Sequence, residues 1–149
     1  FGLTALVSGD VTADLHMHRA LAKGGGEGPH SAAIYALAER LKSLQPAHTV
    51  ALDWGIAPQV RYLTSERITP SEVFGYGYAA DAGFGARVQP LFQQPGTVFV
   101  LHTPEETIFQ RRTEFTEIAA NGGYALQKIG VVRKRSGIPM FELFVVNKE

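Results

Sequence analysis

HTVALDWGIAPQVRYLT, residues 48–64, is the stretch that decides the fold. A short β-type run, HTVAL, halts at Asp53-Trp54-Gly55. Pro58 then suits the first turn of a helix that carries Val60 and Leu63. Strand, tight turn and helix in such quick succession are the units of an α/β fold.

The flanking segments extend the pattern. Upstream, SAAIYALAERLKSLQP places Ala33, Ile34, Leu37, Ala38, Leu41 and Leu44 at steps of three and four, one apolar stripe of a helix. Pro29 or Ser31 can start that helix, and Pro46 stops it. Downstream, TVFVLH is a continuous apolar run of the kind buried on both faces of a sheet. TPEETIFQRRTEFTEIAANGG follows it. Thr103 reads as an N-cap, Pro104 as the first helical residue, and Glu106 as the reciprocal member of a T-x-x-E capping box. Ile108, Phe115, Ile118 and Ala119 form the buried stripe, and Asn121-Gly122-Gly123 ends the helix.

Residues 65–96 are rich in glycine and aromatics. They suggest a short strand near 67–68, a long loop and a helical turn near 88–92. YALQKIGVVRK and PMFELFVVN read as a hairpin turning near Gly137. The expected architecture is a small three-layer α/β/α domain over residues 30–149. Its sheet is mainly parallel, with a C-terminal antiparallel hairpin at the edge. Residues 1–29, broken by GGGEGP, form an irregular lead-in.

Composition narrows the function. The 149 residues hold 14 basic and 14 acidic side chains, so no bulk positive field draws the chain to nucleic acid. With no cysteine, disulfides, thiolate catalysis and cysteine–zinc sites are excluded. No apolar run reaches the eighteen residues of a membrane span. The chain starts at Phe1 without the basic, then apolar, pattern of a signal peptide, which suggests a piece of a longer protein.

Ligands of open α/β sheets bind outside the carboxyl ends of the strands. Asp53 ends one expected strand and His102 another. If those strands are parallel neighbours, Asp53, Trp54, His102 and Thr103 share an edge, with the N-terminus of the following helix beside them to favour an anion. These four are the candidate binding residues. The structural alternative is equally concrete: Asp53 caps a turn, Trp54 covers the core edge, and a carboxylate–imidazole pair serves as a hydrogen bond. No catalytic set, cofactor site or metal site is assigned. GYGYAA at 75–80 matches G-x-G-x-x-A only on paper, because neither the preceding strand nor the acid of a dinucleotide site accompanies it. His16 and His18 lack a third ligand. Arg133-Lys134-Arg135 at the hairpin tip reads as a solvated turn, or as a contact for anionic lipid headgroups.

SAAIYALAERL, VALDWGI, QVRYLTSERI and VFVLHTPEETIF, in that order, carry a resemblance over about residues 28–120. They resemble the C-terminal extracytoplasmic domain of bacterial membrane glycosyltransferases of the dolichyl-phosphate-mannose–protein mannosyltransferase-like group, which have a GT-C fold. ALDWG and LHTPEET are its specific parts. The resemblance implies a domain at the extracytoplasmic side of the cell membrane, beside its own transmembrane domain, with residues 1–29 membrane-proximal. It implies a polyprenyl-phosphate sugar donor, and a role in recognising that lipid-linked sugar or the acceptor. The family's catalytic acid lies on a loop between its first membrane helices, outside this sequence, so no catalytic residue carries over and the isolated domain is expected to be inactive. The rival expectations are an independent α/β ligand-binding module or enzyme using Asp53 and His102, and a purely structural interaction domain.

Overall fold

The computed structural model describes residues 18, 19, 22, 25, 26 and 31–148. The lead-in, with His16 and most of its glycine break, lies largely outside the described residues. The elements run α1 (Ala33–Leu44), β1 (His48–Ala51), α2 (Ala57–Leu63), β2 (Ser71–Glu72), α3 (Phe84–Val88), a 3-10 turn (Gln89–Gln93), β3 (Thr97–His102), α4 (Arg112–Asn121), β4 (Tyr124–Arg133) and β5 (Pro139–Lys148). The fold is mixed α/β. No described helix is long and apolar enough to cross a membrane.

The five strands form one sheet in the order β2-β1-β3-β5-β4. β1 pairs in parallel with both β2 and β3. β5 pairs antiparallel with β3 and with β4. Parallel and antiparallel pairings are therefore balanced, where a mainly parallel sheet was expected. The C-terminal hairpin lies at the edge as expected, but its second strand, β5, docks antiparallel on β3 and leaves β4 outermost, which adds a second antiparallel pairing. The third parallel strand also sits later than expected. Pro70 delays pairing until Ser71, and residues 67–68 lie in the preceding turn.

Strand alternation splits the core. Ala51, Val98 and Val100 join one apolar cluster with Ile34, Leu37 and Leu41 of α1 and Val60 of α2. Val50, Phe99 and Leu101 join another with Phe84 and Val88 of α3 and Phe115 and Ala119 of α4. Neighbouring residues on β1 and β3 thus feed different clusters, as the two-residue period of a strand requires. TVFVLH is buried throughout, as a continuous apolar run demands.

The helix stops follow the sequence. α1 ends where Gln45 turns left-handed and donates its N–H to Leu41. α4 ends at Asn121, and Gly123 takes a left-handed φ of 71°. A Cβ there would meet open space, so only the backbone conformation resists a side chain. Gly123→Ala should cost about 1–2 kcal/mol in a urea melt. An unchanged midpoint would mean the chain leaves α4 by another route.

The start of α4 departs from expectation. The helix begins at Arg112, and residues 103–111 form a loop. Glu106 N–H makes a single turn onto Thr103 C=O. The Glu106 side chain does not reach back to the cap but pairs with Lys134. Thr103 turns to the hairpin: its N–H donates to Met140 C=O and its hydroxyl to Pro139 C=O. The capping box is present in sequence and unused, because another acceptor takes the N–H groups that a helix would need.

Candidate functional site

That acceptor is Asp53. β1 delivers it to the carboxyl end of the sheet, and Gly55, at φ 78°, lets the chain swing away into α2. The carboxylate is 1% exposed. One oxygen accepts from Trp54 N–H at 2.8 Å and Phe109 N–H at 2.9 Å. The other accepts from His102 Nδ1 at 2.9 Å, the Thr107 hydroxyl at 2.7 Å and Ile108 N–H at 3.0 Å. Burial alone would raise its pKa. The hydrogen bonds from His102, Phe109, Thr107 and Ile108 outweigh burial and hold the carboxyl below its ordinary range.

An ionised carboxylate only accepts, so His102 Nδ1 carries the proton of the shared bond. In the neutral ring Nε2 is then an acceptor. No hydrogen bond among the described residues uses Nε2. The ring is 2% exposed, lies against Phe141 and lines a cavity of about 140 Å³ with Leu52, Leu101, Thr107, Gln110 and Arg112. Arg112 holds the rim: its guanidinium donates to His102 C=O at 2.9 Å and pairs with Glu142.

The four sequence candidates separate in role. Asp53 and His102 meet at hydrogen-bond distance. Trp54, 39% exposed, stands at the surface next to Asp53. Thr103 is buried and committed to β5. The expected helix N-terminus at Pro104 is absent from the edge, and the start of α4 at Arg112 borders the cavity instead.

The sequence assigns the glycine–aromatic loop no role at this edge. The structure joins them, since that loop leaves the carboxyl end of β2. Arg111, 2% exposed, donates to Phe74 C=O at 2.7 Å and to Gly77 C=O at 2.6 Å. Phe74 stacks on Phe109 with ring centroids 5.3 Å apart. Tyr76 and Tyr78 pack at the rim of the same ring while staying largely exposed. Arg87 ties the loop further, donating to Val73 C=O and pairing with Asp81. The sequence signals for these residues were the aromatic run FGYGY and the paired Arg111-Arg112. Neither reveals its partner, because the contacts span more than thirty residues.

Chemically, the carboxylate is saturated and serves as a folding hub. The imidazole edge and the exposed rings are what the site offers a ligand. No family model, no curated protein and no solved structure matches the chain.

Proposed function

We propose that this chain is a non-catalytic recognition domain of a membrane glycosyltransferase, acting on the extracytoplasmic side of the cell membrane. It binds the sugar of a polyprenyl-phosphate donor, or the acceptor, at the carboxyl ends of β1, β2 and β3. The observation that carries this reading is the five-fold hydrogen bonding of Asp53. A carboxylate so engaged and held ionised is a poor proton donor, and moving it would unfold the loop it organises. The remaining groups suit recognition. Trp54, Tyr76 and Tyr78 offer flat faces for sugar rings, and His102 Nε2 can accept from a hydroxyl. The resemblance of ALDWG and LHTPEET to the glycosyltransferase domains agrees with it. The same reading keeps three layers, with α1 and α2 over one sheet face and α3 and α4 over the other.

The second reading is an independent enzyme in which Asp53 orients His102 as a base. The 2.9 Å Nδ1 contact favours it, as does an Nε2 that bonds to none of the described residues. Turnover separates the two. The isolated chain, incubated with a short-chain polyprenyl-phosphate mannose and a peptide acceptor, should give no transfer and no donor hydrolysis above buffer. Turnover lost in His102→Gln would establish the enzyme and end the recognition proposal.

A further inference from the structure

One end of the domain carries a second surface. β5 runs antiparallel to β3, with Phe141 opposite His102. The hairpin tip at 134–138 therefore projects from the end of the sheet where β1 and β3 finish. α1 begins at this end as well. Ala32 N–H donates to Gly25 C=O, and the Arg135 side chain packs against Gly25. A groove of about 330 Å³ is lined by Ala32, Tyr35 and Ala36 on one side and by Arg133, Lys134 and Arg135 on the other.

The chemistry of this end is of two kinds. Lys134 is neutralised by Glu106, which leaves Arg133 and Arg135 exposed as cations, with Glu105 on the adjacent turn as the opposing charge. Beside them stand apolar groups that the fold does not use: Ile138 is 54% exposed and Tyr35 62%. Tyr35 also lines a larger, mainly apolar hollow together with Ile34, Pro58, Tyr62 and Leu63. Cations flanked by a tyrosine and an exposed aliphatic tip match a lipid interface, where anionic headgroups meet the basic groups and an amphipathic ring settles at headgroup depth.

We propose that this end of the domain, through Arg133, Arg135, Ile138 and Tyr35, docks on the anionic headgroup layer of a bilayer. The proposal is separate from ligand recognition at Asp53 and His102. If both hold, the recognition edge faces the membrane that carries a lipid-linked ligand.

The absence of cysteine allows labelling at single sites. An environment-sensitive fluorophore is placed at Ile138→Cys, and in a second protein at Lys148→Cys, at the opposite end of β5. Each is mixed with phosphatidylcholine vesicles with and without phosphatidylglycerol. The label at 138 should shift to the blue on the anionic vesicles alone, and the label at 148 should not. Sedimentation with anionic vesicles should weaken at least about tenfold in Arg133→Gln/Arg135→Gln, given a severalfold loss per basic residue, and should fall with added salt. Equal shifts at 138 and 148, or binding that ignores the arginine pair, would overturn the proposal. So would the absence of binding to anionic vesicles. Sugar binding at Trp54 stands or falls by its own test.

Discussion

Asp53→Asn should destabilise the domain by about 3–5 kcal/mol at neutral pH, the range for breaking a buried charged hydrogen-bond network. An amide has one acceptor oxygen. Its NH₂ would face N–H and O–H donors where the second carboxylate oxygen now accepts from His102, Thr107 and Ile108. The loop 103–111 would lose the group that draws its backbone together.

The same substitution has a pH signature. Asp53 has a folded pKa below its ordinary 3.8. Its contribution is thus fully present above that value and is lost as pH falls through the folded pKa. Urea melts of wild type and variant should differ most at neutral pH and converge in acid. Glu142 keeps part of the acid sensitivity in both proteins. Burial would raise its pKa, but its ion pairs with Lys128 and Arg112 lower it on balance. A constant gap between the two proteins down to about pH 2 would show that Asp53 is not the acid-labile hub.

Arg111→Met should be the next most damaging change, at about 3 kcal/mol, since it leaves the buried Phe74 C=O without its side-chain donor and unties the part-buried Gly77 C=O. Phe74 C=O loses the bond from Arg111 Nε and Gly77 C=O the bond from Arg111 Nη2. The effect should be local before it is global. Chymotrypsin should cut at Tyr76 and Tyr78 faster in the variant under conditions where α1 and β3 stay intact. An unchanged melt and digestion pattern would mean that the Phe74–Phe109 stack alone holds the loop.

Local rules carried the reading of the chain a long way. The apolar stripe of 33–44, the buried run of 97–102, the hairpin around Gly137 and the glycine stop after Asn121 each follow from periodicity or a backbone requirement confined to a few residues. What escaped depended on distant partners. Thr103-Pro104-Glu105-Glu106 has every local mark of a helix start, yet the N–H groups of Ile108 and Phe109 are claimed by an acid more than fifty residues earlier. The pairing choice of β5 is also non-local, and it changes the sheet from mainly parallel to mixed. Asp53 and His102 were legible as an edge pair because strand ends in an α/β sheet converge by topology. The aromatic loop was not, because its attachment runs through the side chain of Arg111.

The most direct test uses the chain's single tryptophan, Trp54, as its own probe. Titrating the protein with a short-chain polyprenyl-phosphate mannose should change the indole emission saturably. Tyr78→Ala should weaken the apparent affinity about tenfold, in line with the loss of one stacked aromatic face. A saturable response with that dependence supports a recognition edge at the carboxyl ends of the parallel strands. Emission that does not respond, or responds identically in Tyr78→Ala and His102→Gln, would contradict it.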